Sequence, residues 1–153
     1  MHYEITTTRV DARPIASIDV HATPDELDAL IPGLLDEVWE HLKGIGLDRQ
    51  SHNVVIYYDA EVHLEAGIEV PGDSGFEGEG RIERSSTPAG LAARTVHIGP
   101  YEQLSEAHEA LRSWCADKGY HTVGPVWEVY GEWTDDTSKL RTEVFYLIDS
   151  DPA

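Results

Sequence analysis

The chain has 153 residues, of which 41% are hydrophobic and 26% charged, a composition typical of one folded domain rather than of a disordered segment. Asp and Glu total 29 against 11 Lys and Arg, which gives a formal net charge of −18. This surplus disfavours a binding surface for nucleic acid or for an anionic membrane, and it attracts cations. A simpler interpretation of the charge is solubility, or adaptation to high salt.

Cysteine content and hydropathy indicate the compartment. Cys115 is the only cysteine, so an intrachain disulfide is excluded and a reducing compartment is favoured. The first residues show neither a basic stretch nor an apolar run, and no stretch of about 18 apolar residues occurs. We therefore expect a soluble, cytoplasmic protein that makes no contact with membranes.

The first half of the chain predicts two strands, a helix and two more strands. Apolar residues from Leu27 to Leu42 recur at helical spacing, Thr23 begins the helix with a capping box, and Gly44 ends it. Pro32 lies inside this pattern and should kink or break the helix. Strands are expected as a first pair near residues 3–10 and 14–20, and then at residues 54–58 and 62–70.

The second half repeats this order after a polar, glycine-rich linker at residues 71–75. An apolar stripe that starts at Leu104 predicts a helix that opens at Gly99-Pro100 and closes at Gly119. Strands are expected at residues 80–84, 91–98, 125–133 and 140–148, the last two as a hairpin.

Three pairs of landmarks indicate that the β-β-α-β-β order is duplicated. They recur at nearly one offset along the chain: Trp39 with Trp114, Tyr57 with Tyr130, and Glu69 with Glu143. We therefore predict an α+β fold, a single domain over residues 1–153 whose halves span about residues 1–72 and 76–150 with pseudo-twofold symmetry. The halves should share one antiparallel sheet with both helices on one face, which leaves a groove for small molecules near the seam on the other face.

The repeat also indicates where the halves differ in chemistry. At the offset that relates Tyr57 to Tyr130, Glu128 aligns with Val55, and the residues on either side of Glu128 are apolar or aromatic. A carboxylate in that setting either has a raised pKa or meets a cationic or hydrogen-bonding partner. Tyr130 lies two positions along the same strand and therefore on the same face. The alternative is that this face is solvated and Glu128 is an ordinary exposed residue.

Further candidates lie on neighbouring strands. Glu143 is a second acid across the predicted hairpin, where it either lines the same groove or pairs with Arg141 or with a base on another strand. Tyr57, Trp127 and Tyr146 either present ring faces that attract cations or pack in the core.

Other kinds of site find no support in the sequence. None of the eight His lies four residues from another or joins a Cys/His cluster, so we predict no metal site, and we expect no cofactor. The motifs of serine hydrolases, phosphate loops and dinucleotide-binding folds are missing. His97, where a strand leads into a helix, fits a structural role as well as a functional one, and Cys115 fits the buried stripe of its helix.

The segment His97-Ile98-Gly99-Pro100-Tyr101 resembles a motif of the GyrI-like small-molecule-binding family. Domains of this family also form the effector-binding part of AraC- and MerR-type multidrug regulators. Weaker matching segments follow the family order over essentially the whole chain, at residues 12–16, 57–59, 65–70, 88–92, 127–130 and 141–144. The resemblance implies the duplicated fold, of the SOUL/SHS2 type, that the repeat already predicts.

This resemblance also implies a function. The groove of the family has aromatic walls and a carboxylate at its base, and it accepts lipophilic, aromatic or cationic compounds. By motif position the carboxylate is Glu128, with Tyr130, Glu143 and Tyr57 as neighbours. The chain would then be a stand-alone sensor or sequestering protein. We see no DNA-binding domain in this sequence and therefore do not expect a transcription factor of those types, and the negative charge leads us to expect no direct binding of nucleic acid.

Two alternatives stay open at this point. Some family members resemble hydrolases of cyclopropane-bearing natural products, and in such an enzyme Glu128 and Tyr130 would position or activate water. The other alternative is a protein partner, since an acidic surface that mimics DNA would modulate a topoisomerase such as gyrase. Addition of water to a bound compound identifies the hydrolase, whereas sensitivity to charge reversals outside the groove identifies the protein-interaction role.

Overall fold

A computed structural model describes residues 3–21, 23–47, 52–59, 63–71, 76, 78–131 and 134–149. Most of the predicted linker at residues 71–75, residue 62 and residues 132–133 of two predicted strands lie outside this range. The described elements are β1 (Thr6–Val10), β2 (Pro14–His21), α1 (Pro24–Gly44), β3 (Asn53–Asp59), β4 (His63–Glu69), β5 (Gly78–Glu79), β6 (Ile82–Ser86), β7 (Gly90–Ile98), α2 (Leu104–Lys118), β8 (Thr122–Tyr130) and β9 (Arg141–Ile148). The predicted α+β fold, antiparallel strands with two helices in a duplicated order, is confirmed.

The chain divides into two compact units, and each contains one helix. The first unit is Ala12–Pro88, in which the strands lie in the order β3-β4-β2-β6-β5. The second unit combines Met1–Asp11 with Ala89–Ala153, and its strand order is β1-β7-β9-β8. Four strands of each unit correspond when β6 of the first unit is matched with β1 of the second, and the short β5 has no counterpart.

The predicted pairing of the first two strands is wrong. Strand β1 pairs with β7, from Thr6 opposite Arg94 to Val10 opposite Gly90. Strand β2 is flanked by β4 on one side and β6 on the other, so neither edge of β2 is free to pair with β1. The halves of the sequence therefore exchange strands: β1 of the first half belongs to the second unit, and β5 and β6 of the second half belong to the first unit.

Local chemistry sets the start of α1. Thr23 Oγ1 accepts a hydrogen bond from the backbone N–H of Glu26 at 3.4 Å and donates one to Glu26 Oε1 at 2.8 Å, so the two residues of the predicted capping box cap the helix through their side chains. The helix continues through Pro32, so of the predicted kink or break the break is wrong, and the kink stays a prediction. Pro32 lies on the exposed side, while the buried stripe continues past it with Leu34 and Val38.

The buried faces of the two helices correct one landmark pair. Three buried positions recur at the offset that relates Tyr57 to Tyr130: Leu34, Val38 and Leu42 of α1 correspond to Ala107, Leu111 and Cys115 of α2. Trp39 and Trp114 are separated by a slightly larger offset and therefore occupy different positions on their helices. The tryptophan pair indicates the repeat only approximately, and the buried positions of the helices give the correct alignment of the two halves.

Strand pairing corrects a second landmark pair. In the first unit Ile56 lies opposite Glu65, and in the second unit Val129 lies opposite Glu143. Since Ile56 and Val129 directly precede Tyr57 and Tyr130, they are equivalent positions, and the counterpart of Glu143 is Glu65 and not Glu69. The connection between β8 and β9 is longer than the one between β3 and β4, so one offset does not hold across both hairpins.

The core of the second unit lies between α2 and its sheet. Its buried residues are Ala93, Leu104, Ala107, Leu111, Cys115, Val144, Tyr146 and Ile148. In the part of the chain that the structure describes, neither helix is both long and apolar enough to cross a membrane.

Candidate functional site

A buried carboxylate on β8 is the centre of the candidate site. Glu128 is 4% exposed, on the face of the sheet that α2 covers. Its Oε1 accepts a hydrogen bond from the Tyr130 hydroxyl at 2.5 Å, and its Oε2 lies 2.6 Å from Nε2 of His108 on α2. This carboxylate is therefore held by protein groups rather than by bulk solvent.

The hydrogen-bond network continues from His108 to β9. His108 Nδ1 lies 2.8 Å from the Tyr146 hydroxyl, which also accepts a hydrogen bond from Arg112 Nη1 at 3.1 Å. A neutral His108 with its proton on Nε2 donates to Glu128 and accepts from Tyr146, so each contact has one donor and one acceptor. Each oxygen of the Glu128 carboxylate then accepts one hydrogen bond, Oε1 from Tyr130 and Oε2 from His108.

The local sequence explains why these groups meet. Glu128 and Tyr130 are two residues apart on a strand and project from one face of the sheet. His108 and Arg112 are four residues apart on α2, which places them on one side of that helix. Tyr146 lies opposite Val126 in the β8–β9 pairing, two residues from Glu128 and therefore on its face.

Tyrosine rings surround the network. The ring of Tyr101 meets that of Tyr130 edge-on, with the centroids 5.3 Å apart. Burial raises the pKa of the Tyr146 hydroxyl, although Arg112 opposes part of the rise. Burial also raises the pKa of Tyr101. Both phenols stay protonated at neutral pH, so they add ring surface and hydrogen-bonding groups without adding charge.

Trp127 and Glu143 lie on the opposite face of the sheet. Trp127 is 2% exposed and stacks on Phe145, with the ring centroids 5.0 Å apart. Glu143 Oε2 accepts hydrogen bonds from Nε and Nη2 of Arg94 at 2.9 and 2.6 Å, and Arg141 Nη1 lies 3.6 Å from its Oε1. These contacts give Glu143 the ion-pairing role that the sequence left open, and they give Trp127 a packing role.

The structure brings three of the six predicted site residues into one network, namely Glu128, Tyr130 and Tyr146. Tyr57 is partly buried on β3 in the first unit. The sequence analysis missed His108, which connects the three. In the register of the buried helix faces His108 aligns with Leu35, and that substitution of a polar for an apolar residue could have revealed it.

A second buried carboxylate lies in the first unit. Glu65 is 6% exposed, and its two oxygens accept hydrogen bonds from the hydroxyls of Ser17 at 2.5 Å and Tyr58 at 2.6 Å. Burial and the hydrogen bond to Glu65 raise the pKa of Tyr58 well above its ordinary value. Trp39 of α1 donates a hydrogen bond to Asn53 on β3, so Asn53 faces α1. Asn53 lies opposite Ile68 on β4, and Ile68 is three residues from Glu65 and therefore on the other face of the strand. Glu65 therefore faces away from α1, whereas Glu128 faces α2.

His97 is fully buried and has a structural role. Its Nε2 donates to the backbone carbonyl of Pro100 at 3.0 Å, which leaves Nδ1 to accept a hydrogen bond from the Tyr3 hydroxyl at 2.9 Å. The imidazole thus ties the segment that leads into α2 to the beginning of the chain.

Comparison with solved structures places the fold among known ones. The C-terminal domain of EcmrR shares 25% sequence identity with this chain at a TM-score of 0.78, over 97% of this chain and 99% of that one. The protein SAV2435, solved bound to tetraphenylphosphonium, shares 13% identity at a TM-score of 0.65, over 97% and 94% of the two chains. A hydrolase encoded by lin2189 of Listeria innocua shares 12% identity at a TM-score of 0.65, over 95% and 92%.

The family follows from comparison of the sequence. No curated protein matches this chain. The family model of the GyrI-like small-molecule-binding domain matches residues 3–148, which confirms the resemblance seen at His97 to Tyr101. With nearly the whole chain matched, the protein belongs to the family of GyrI-like small-molecule-binding domains.

Proposed function

We propose that this domain binds lipophilic aromatic cations and that Glu128 supplies the negative charge that attracts them. The observation that carries the proposal is the burial of the Glu128 carboxylate, 4% exposed, among the rings of Tyr130 and His108. The class of ligand is supported by the family and by the tetraphenylphosphonium bound to the similarly folded SAV2435.

Burial increases what a carboxylate can contribute to binding a cation. Two unit charges 4 Å apart attract by about 1 kcal/mol in bulk water, and by several times more where solvent is largely excluded. The hydroxyl of Tyr130 and Nε2 of His108 hold the carboxylate in one orientation, so a ligand need not order it. The faces of Tyr101 and Tyr130 are of the kind that attracts cations by about 0.5–2 kcal/mol each.

Calorimetric titration with two matched compounds tests the proposal. Tetraphenylphosphonium carries a positive charge, whereas triphenylphosphine oxide presents similar rings without one. Glu128→Gln keeps the shape of the side chain and removes its charge. We expect this change to weaken the cation by about 1–3 kcal/mol, roughly 5- to 150-fold in Kd, and to leave the neutral compound nearly unaffected.

Glu143→Gln is the matched control for this titration. Its carboxylate lies on the opposite face of the sheet and is held by Arg94 and Arg141, so its loss should leave the affinity for the cation unchanged. Equal weakening of both compounds by Glu128→Gln would overturn the proposed role of charge. If neither compound bound the wild-type domain, a protein partner such as a topoisomerase would be the better hypothesis.

The contact between Glu128 and His108 favours a second candidate function, hydrolysis of cyclopropane-bearing electrophiles. A carboxylate and an imidazole 2.6 Å apart can take a proton from water and return it to a leaving group, and Tyr130 would help to position that water. Mass spectrometry of the recovered compound separates the two functions. A binding protein returns the compound at its original mass, whereas a hydrolase returns it with one water added.

The remaining part of the proposal concerns the setting of the domain. We propose that it acts in the cytoplasm and that its partner is a small molecule rather than nucleic acid. Cys115 is a free, buried thiol whose pKa is raised by burial, which suits a reducing compartment. The net charge of −18 opposes contact with phosphates, so a gel-shift assay with duplex DNA should show no complex.

A further inference from the structure

Three side chains of metal-binding type meet on the ladder of β2 and β4 in the first unit. Asp19 and His21 are two residues apart on β2, and His63 lies directly opposite His21 on β4. Their ligand atoms all lie within 4.8 Å of one another. The sequence analysis predicted no metal site, because His21 and His63 are distant along the chain and only the strand pairing joins them.

The carboxylate of Asp19 contacts both imidazoles. His63 Nε2 is 2.8 Å from Asp19 Oδ2, and His21 Nε2 is 3.6 Å from Asp19 Oδ1. The two imidazole rings stack with their centroids 4.1 Å apart, and the ring of Tyr58 stacks on His63 at 4.8 Å. His63 is thus held by its neighbours, whereas the side chain of His21 is 68% exposed and can turn towards a shared ligand.

A tetrahedral metal site sets the spacing that these ligand atoms would need. Bonds of about 2.0–2.1 Å to imidazole nitrogen and carboxylate oxygen place neighbouring ligand atoms roughly 3.3 Å apart. Nε2 of His63 and Nε2 of His21 lie 2.8 and 3.6 Å from different oxygens of Asp19, so the carboxylate is within reach of both imidazoles. The mostly exposed side chain of His21 is the one that would turn for all three residues to meet one ion.

The local charge also suits a divalent cation. Asp19 lies opposite Glu65 in the β2–β4 pairing, so two carboxylates share one face of the ladder. Two acidic side chains beside two imidazoles make a face that attracts a divalent cation. Ionised carboxylates and neutral imidazoles are the forms that bind metals.

We propose that Asp19, His21 and His63 bind one divalent first-row transition metal ion such as Zn²⁺, with water completing its coordination. Two imidazoles and one carboxylate suit Zn²⁺, Co²⁺, Ni²⁺ or Cu²⁺, whereas Mg²⁺ and Ca²⁺ prefer ligand sets made of oxygen. The site lies in the first unit and is independent of the ligand proposed to bind near Glu128.

Titration of the full chain, freed of any affinity tag, with Zn²⁺ by calorimetry and with Co²⁺ by absorption spectroscopy tests this proposal. We expect one ion per chain, with Co²⁺ developing the visible bands of a low-symmetry site. His21→Ala and His63→Ala should each lower the affinity by at least about tenfold, the loss seen even when only a supporting residue of a metal site is removed. Mg²⁺ serves as the control for diffuse attraction to the acidic surface.

His121→Ala is the matched control, because His121 is an exposed histidine of the second unit. It should bind Zn²⁺ as the wild type does. His21→Ala removes a mostly exposed side chain, so circular dichroism should show an unchanged fold and keep the comparison valid. The proposal is overturned if the wild type shows no saturable binding, if Mg²⁺ competes equally, or if all three variants bind alike.

Discussion

The contact between His108 and Glu128 is the part of the candidate site whose energetics can be worked out from its geometry. His108→Phe keeps a ring of similar size and removes both ring nitrogens. It deletes the 2.6 Å contact with Glu128, a residue only 4% exposed, and the 2.8 Å contact with Tyr146. A hydrogen bond to a charged group contributes about 1.5–3 kcal/mol and one between neutral groups about 1 kcal/mol.

We therefore expect His108→Phe to lower the free energy of unfolding by about 2–4 kcal/mol. For a chain of this length such a loss lowers Tm by roughly 4–16 °C. Urea unfolding followed by far-ultraviolet circular dichroism at neutral pH measures it. Glu109→Gln, at the exposed neighbouring position of α2, is the control and should change stability by less than about 0.5 kcal/mol.

A double-mutant cycle separates the contact from the rest of the substitution. In a Glu128→Gln background the bond to His108 is no longer charge-assisted, whereas the contact with Tyr146 is lost as before. In that background, the decrease in the free energy of unfolding caused by His108→Phe should therefore be smaller by about 1–2 kcal/mol. Additive losses, within about 0.5 kcal/mol, would refute the inference that His108 holds the charge of Glu128.

Two further predictions concern the first unit. A Cβ added at Gly67 would lie 2.4 Å from the backbone oxygen of Ala16 on β2, so Gly67→Ala should destabilise the domain by about 1–3 kcal/mol or prevent folding, and a wild-type Tm would contradict this. Burial and Glu65 raise the pKa of Tyr58, so its contribution to stability is full below the unfolded value of about 10 and is lost as pH rises above it. The free energy of unfolding should therefore fall less steeply with pH above about pH 10 in Tyr58→Phe than in the wild type. An unchanged slope would contradict the hydrogen bond between Tyr58 and Glu65 as a source of stability.

Local signals in the sequence predicted the elements and one centre of chemistry. The capping box at Thr23 located the start of α1, because a cap depends only on residues within one turn. The comparison of the two halves selected Glu128, because the repeat gave an internal reference at the same strand position. The first inference needed only neighbouring residues. The second needed the alignment of β3 with β8, for which the offset between Tyr57 and Tyr130 is correct.

What the sequence did not predict depends on pairing between distant segments. The exchange of β1 and β6 leaves no trace in periodicity, since each strand has the same alternation whichever partner it takes. His108 received no role because the tryptophan landmarks placed the helices out of register. The ligand atoms of His21 and His63 meet through the pairing of β2 with β4, which spacing along the chain does not encode.

The corrected register shows what distinguishes the second half. Three polar residues of its network stand where the first half has apolar ones: His108, Glu128 and Tyr146 correspond to Leu35, Val55 and Ile68. Replacing a buried charged network with well-packed apolar residues is often neutral, or stabilising by about 1–4 kcal/mol. Stability of the fold therefore gives no reason to keep the network, since the first half does without it. We infer that ligand binding is the reason for the network in the second half, because the first half has apolar residues at the three equivalent positions.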